Sequence, residues 1–192
     1  MKTSLGPKTI AFPLPAYLVG SYDANLNPNI MTAAWGGILC SDPPLLGVSV
    51  RPTRMSHDGI LNHRAFTVSF PSVQLALQTD FAGLTSGRQV NKFARSGLTP
   101  VKSPLVDAPY VEQAPVIAEL RLFKTVELGT HTLFVGQIMD VKADPEVLAE
   151  DGSLDIHKVN PLVYDGAGYY KVGDFVGQAF SIGKALIRAV AE

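Results

Sequence analysis

The sequence is poor in cysteine, and that already excludes two kinds of site. Cys40 stands alone among 192 residues, so the chain can make neither an internal disulfide nor a cysteine-only metal cage. A reducing, cytoplasmic setting fits that usage, and the apolar run around Cys40 predicts a buried, inert thiol. Charge is scarce too: Asp, Glu, Lys and Arg make up 17% of the chain, with a net charge of −1. Such a balance argues against a nucleic-acid or anionic-membrane partner. A surface with so little charge calls for a cover, and a homo-oligomer is the simplest one. Long apolar runs are missing as well. None approaches the roughly 20 residues of a membrane-spanning helix, and the opening MKTSLGPKTIAFPLP has no apolar secretion core before its prolines.

The familiar catalytic signatures are also missing. His57, His63, His131 and His157 show no paired spacing, so no metal site is expected. Neither a GxSxG elbow nor a Walker A loop occurs. GAGYYK (166–171) begins like a dinucleotide fingerprint but carries Lys171 where the third glycine belongs. It has no βαβ frame around it and reads as a turn.

What remains is ordinary globular composition, 46% hydrophobic, in a length that suits one domain over 1–192. The 14 prolines and 17 glycines predict many turns and a β-rich fold. AYLVGSYD (16–23) reads as a strand, ANLNPN as its turn, and IMTAAWGGILC (30–40) as the returning partner. LLGVSVRP (45–52) is a third strand, its start fixed by Pro43 and Pro44. AFTVSFPS (65–72) is a fourth, ended by Pro71. In 116–129, apolar Ile117, Leu120 and Leu122 alternate with polar Glu119, Arg121 and Lys124, which predicts a strand with one wet face. HTLFVGQIMDVKAD (131–144) should pair with it across Gly129 and Thr130, and 162–173 should hold a last hairpin near Asp165 and Gly166.

Helices are fewer. Ser56 is a predicted N-cap for SHDGILNHR, with Asp58 in its first turn. Ser72 is a predicted N-cap for a helix stopping near Gly83 or Gly87, and a short helix ends at Gly97. Near the C-terminus Ile182, Leu186, Ile187 and Val190 share a stripe that should pack on something. Segments 97–115 and 145–161 read as loops. This order predicts an antiparallel sheet closed on itself, a small β-barrel with helical insertions.

Two segments carry candidate chemistry. RPTRMSHDG gathers Arg51, Thr53, Arg54 and Ser56 within six positions, with Ser56 at a helix start where the dipole favours an anion. A solvated capping loop would look the same. MTAAW offers small side chains against which a flat ring could lie, as would a tight strand crossing. Together they would suit a planar phosphorylated cofactor on a barrel surface.

The runs NPNIMTAAWGGILCSDPPLLGVSV, RPTRMSHDGI, AFTVSF, ELGTHTLFVGQI and PLVYDGAGYYKVG, in this order, resemble the flavin reductase-like proteins of the FMN-binding split-barrel superfamily, and flavoredoxins most of all. The resemblance implies a mainly β, antiparallel Greek-key split barrel, a homodimer, and one non-covalent FMN per subunit, with NAD(P)H or a redox protein as candidate exchange partner. It places Thr32, Ala33, Ala34 and Trp35 along the isoalloxazine ring. Arg51 and Ser56 match the phosphate end, with Arg54 as helper. Ser69, followed by Phe70, stands where the family often has asparagine. Lys92 and Phe93 match a recurrent pair near the flavin, and His131 the histidine of an H-x-x-F-x-G strand, the one candidate for a catalytic role. Tyr164 and Tyr170 fall in a C-terminal segment near the site. Bland readings stand beside these: Trp35 as core or interface, His131 paired with Glu127, Lys92 as a solvated charge. The function implied is electron transfer or NAD(P)H-dependent reduction through FMN, and the alternative is a non-enzymatic flavin-binding module.

Overall fold

The structure, a computed structural model, describes residues 1–188. Seven strands form one antiparallel sheet: β2 (Tyr17–Tyr22), β3 (Pro28–Ala33), β4 (Gly36–Ser41), β5 (Pro44–Val50), β6 (Ala65–Phe70), β9 (Val116–Glu127) and β10 (Thr132–Ala143). Their order is β3-β2-β6-β9-β10-β5-β4. Strands β3 and β4 are neighbours in the chain but lie at opposite edges of the sheet. The predicted returning strand over 30–40 is therefore two strands, broken at Ala34 and Trp35. Its first half pairs with β2 and its second with β5. The break carries the chain from one edge to the other, and Ser49 N–H donates to the Trp35 carbonyl at 2.8 Å across the gap. Closing the sheet this way satisfies part of two exposed edges, and the result is the expected split barrel.

Small elements surround it. Helix α1 (Met55–His63) follows β5, α2 (Ala76–Leu84) and α3 (Lys92–Ser96) follow β6, and β1 (Leu14–Pro15) joins the hairpin of β11 (Leu162–Tyr164) and β12 (Tyr169–Lys171). Helix α3 ends at Gly97, whose φ of +71° is open to glycine without strain. Segment 97–115, expected as a loop, contains a hairpin of β7 (Pro100–Lys102) and β8 (Pro109–Val111). Segment 145–161 contains a helical turn, α4 (Ile156–Val159). Pro100 and Pro109, two of the prolines that signal a loop, sit at the starts of β7 and β8, a position proline tolerates.

Two cores explain the strand patterns. Val19, Met31, Val48, Phe66, Val68, Ala118, Leu120 and Phe134 fill the barrel. Leu18, Ile30, Ala82, Phe93, Val111 and Ile117 fill the space between the sheet and α2, α3 and β8. Strands β2 and β9 are thus buried on both faces for part of their length. That corrects the wet face expected for 116–129 at one position: Glu119 is fully buried and accepts from Lys142 Nζ at 2.6 Å, while Arg121 and Lys124 are exposed as expected.

Three further expectations change. Ser56 is not an N-cap: Arg54 holds that position without a side-chain bond, and Ser56 is buried as the second residue of the helix. Ser72 precedes a 3-10 turn (Val73–Leu75) and also makes no side-chain cap bond. Cys40 is half-buried rather than enclosed, with Sγ 3.2 Å from the Asp42 carbonyl. The C-terminal helix is α5 (Lys184–Arg188); Ile182, Leu186 and Ile187 are exposed on it or beside it, and Val190 lies outside the described residues. Among the described residues no helix is long and apolar enough to cross a membrane.

Candidate functional site

At the split the chain leaves the sheet after Ala33, and the small residues of MTAAW help to line an open cleft of about 150 Å³. Seven of the residues singled out in the sequence line it: Thr32, Ala33, Ala34, Trp35, Arg51, Arg54 and His131. Met31 and Ser49 join them from β3 and β5. Residues as far apart in sequence as Met31 and His131 meet here because β3, β5 and the start of β10 converge where the barrel opens. Thr32 Oγ1 donates to the Thr79 carbonyl, tying β3 to α2.

Trp35 is 41% exposed, so it is not a core residue. Its ring lies 4.8 Å from that of His131, tilted by 38°. His131 does not pair with Glu127. Its Nδ1 is 2.9 Å from Thr130 Oγ1, and Glu127 accepts from Thr132 Oγ1 instead. Burial first, and the Arg51 guanidinium second, push the His131 pKa below its ordinary value, so the imidazole is neutral at neutral pH.

The cationic end has three members. Arg51 is exposed in the turn after β5, Arg54 precedes α1, and Lys92 opens α3. Lys92 is not a solvated charge: it is 2% exposed and its Nζ donates to the Ala82 carbonyl at 2.7 Å. Burial, then the positive Arg54, push its pKa down to about 8. Among the described residues none of these three cations is ion-paired with a carboxylate. Close to them Ser56 Oγ accepts from Asn29 Nδ2 at 2.8 Å. The first turn of α1 has no side-chain cap, leaving amide donors for a guest.

Three candidates lie elsewhere. Ser69 is fully buried on the outer face of β6, where its Oγ accepts from Val111 N–H at 3.3 Å. Phe70 packs edge-on against Tyr17, centroids 5.2 Å apart. Phe93 belongs to the outer core. All three hold the scaffold, not the cleft.

A second cleft, of about 240 Å³, shares Thr32 and Ala34 with the first and is walled by Asp80 and Gly83 of α2 and by Tyr164 and Tyr169. Tyr169, not Tyr170, faces it; Tyr170 is 54% exposed. Tyr164 and Tyr169 are direct cross-strand partners, which places both on one face, with ring centroids 5.4 Å apart. The turn between them is held by Asp165, which accepts from Ala167 and Gly168 N–H at 2.8 and 2.7 Å, and by Gly166 at φ +103°. Tyr169 OH donates to Asp80 Oδ1 at 3.2 Å; burial and then Asp80 push its pKa up to about 12, so it stays a donor. The four-residue turn centred on Asp165 and Gly166 was the signal for pairing Tyr164 with Tyr169. Asp80 gave none, since it sits in an ordinary helix pattern.

The sequence model of the flavin reductase like domain matches residues 9–173. Among solved structures, the flavoredoxin of Desulfovibrio vulgaris (Miyazaki F) superposes with a TM-score of 0.91 at 48% identity, over 95% of this chain and 100% of that one. The flavoredoxin of Methanosarcina acetivorans gives a TM-score of 0.90 at 30% identity, over 97% and 99%. An FMN-binding protein from Thermus thermophilus gives 0.78 at 28% identity, over 93% and 98%. With the domain matched over most of its length, and with a split barrel common to these relatives, the chain belongs to the flavin reductase-like family.

Proposed function

We propose that the chain is an FMN-binding flavoprotein that passes electrons between a donor and an acceptor, as a flavoredoxin-like oxidoreductase. The observation that carries this reading is the pair Arg51 and Arg54 in the lining of a cleft with Ala33 and Ala34, with buried Lys92 near enough to Arg54 to feel its charge, and none of the three paired with a carboxylate among the described residues. Holding a buried ammonium next to a guanidinium is unfavourable unless an anion joins them. A phosphate supplies that anion, and the small residues leave room for a flat ring. The donor set therefore fits FMN, and the Thermus thermophilus relative is named as binding it.

When bound, FMN would supply the redox chemistry, accepting and returning hydride or single electrons. The chain's own residues bind and orient. Arg51, Arg54 and Lys92, with the first-turn amides of α1, would hold the phosphate through charge-assisted hydrogen bonds. Thr32 to Trp35 would flank the ring, and neutral His131, braced by Trp35, would stand at its edge as a hydrogen-bonding group. Exposed Trp35, Ile38 and Leu39 at the barrel split (41%, 69% and 50%) support a homodimer that covers this edge. NAD(P)H or a redox protein is the proposed donor, in a reducing compartment such as the cytoplasm.

The test is a visible spectrum of the purified protein, or an FMN titration of flavin-free protein, followed by NADH and NADPH oxidation on the same sample. Absorbance of bound flavin supports the reading. A colourless protein that gains no flavin absorbance on adding FMN rejects it. Rapid turnover with added flavin marks a reductase, and its absence a carrier.

A further inference from the structure

We infer that His57, Thr132 and Glu127 are positioning residues, a chain of hydrogen bonds that holds the two arms of the first cleft at a fixed separation. Their role, to select a ligand that reaches both arms, rests on the flavin reading above. Arg51 and Arg54 form one arm, on the loop between β5 and α1; His131, stacked with Trp35 just before β10, forms the other. Thr132 follows His131, is 1% exposed, and is paired with Val50 of β5 and Glu127 of β9. The sheet therefore fixes the first arm as far as Val50, the residue before Arg51. It does not reach the first turn of α1.

His57 supplies that link. It is the third residue of α1, and its N–H donates to the Arg54 carbonyl at 3.1 Å. Its Nε2 lies 3.0 Å from Thr132 Oγ1, which in turn lies 3.0 and 3.1 Å from the two Glu127 carboxylate oxygens. An ionised carboxylate only accepts, and a hydroxyl has one proton to give. Thr132 thus donates to Glu127 and accepts from His57 Nε2–H, so the direction of each bond is set. Phe134, fully buried, meets the His57 ring edge-on, with centroids 5.1 Å apart and planes at 78°, and stops it turning away. His57 Nδ1 makes no hydrogen bond among the described residues, with Asp58 Oδ1 3.6 Å away. Thr132 is therefore the anchor of that side chain. Breaking such a bond strands a buried polar atom, which is why the chain is stiff. A ligand with an anion on one arm and a ring on the other gains from arms already in place. A ring without the anion touches one arm and gains nothing.

Fluorescence titration of the flavin-free, full-length protein with FMN and with riboflavin tests the brace. Thr132→Val removes the hydroxyl and should weaken FMN about tenfold and riboflavin less than about twofold. Thr132→Ser, which restores the hydroxyl, should bring FMN affinity back to within about twofold of the parent. His57→Phe keeps a ring without the donor, should repeat the Thr132→Val pattern, and serves if that variant does not fold. Unchanged FMN affinity in the breaking variants overturns the inference. So does an equal loss for both flavins, which would mark general loosening, or a serine variant as weak as the valine one. A parent protein that takes up neither flavin rejects the flavin reading alone. The brace is then judged by the indole N–H resonance of Trp35, the only tryptophan. That signal should move in Thr132→Val and return in Thr132→Ser; a signal that stays in place overturns the brace.

Discussion

The two clefts beside Thr32 and Ala34 are made from nearly the same backbone but opposite chemistry. One is lined by Arg51, Arg54 and His131 and lies at the barrel split, where β3 and β5 come together. The other is lined by Asp80, Tyr164 and Tyr169, contributed by elements outside the barrel. Both depend on the same rigid edge, because Ala33 is buried in the inner core while Thr32 is tied to α2. A stiff strand can present two sites of opposite sign only if neither site's charges neutralise the other's. The segment of small residues separates them, and its one hydroxyl, on Thr32, is engaged by the Thr79 carbonyl.

The largest effect is expected from breaking both clefts together. Leu120→Ala empties a fully buried position on β9, the strand that carries the sheet between both edges, and should cost about 2–5 kcal/mol in chemical denaturation. Arg51→Ala should act on one cleft alone, weakening FMN by about 1.5–3 kcal/mol in a fluorescence titration while leaving the melting temperature near that of the parent. Unchanged flavin affinity would remove Arg51 from the site.

Lys92 gives a pH signature to the cationic side. Its folded pKa of about 8 lies below that of an unfolded lysine, so between about pH 8 and 10 the unfolded chain binds more protons. Its contribution therefore destabilises the flavin-free fold fully below about pH 8 and is relieved as pH rises above it. FMN affinity should move the other way, falling as pH rises through 8, because a neutral amine no longer holds phosphate. Lys92→Met should remove both trends in pH-dependent melts and titrations.

The smallest effect belongs to the opposite side. Tyr169→Phe deletes the hydroxyl that donates to Asp80 and should lower stability by about 1 kcal/mol, with FMN affinity intact. A loss of FMN affinity equal to that of Arg51→Ala would merge the two clefts into a single site.

Much of the first cleft was legible as residue types. Arg51, Arg54 and Ser56 lie close in sequence, and MTAAW stands out by its small side chains, so local pattern alone brought them forward. The resemblance carries Ser69, Phe70 and Phe93 over by position, whereas burial depends on which face of a strand or helix is covered. The β7–β8 hairpin over β6 turns Ser69 into a backbone anchor. Glu119 was read as solvent-facing for the same reason: alternation reveals two faces but not that both are covered. The resemblance points to Tyr164 and Tyr170 and says nothing of Tyr169, because adjacent tyrosines look alike until strand pairing assigns their faces.

The sequence by itself determined that this is a β-rich barrel with turns at its glycines and prolines, and that two short segments could hold a phosphorylated ring. Periodicity, turn residues and local charge are properties of neighbouring positions, and they survive without coordinates. Only the tertiary structure decided that β3 and β4 part to opposite edges and that Lys92 is buried beside Arg54. It also decided that Asp80 faces Tyr169 across 89 residues of chain. Those facts arise from packing between distant segments, where burial and electric field depend on what the fold brings near, and no window along the sequence contains them.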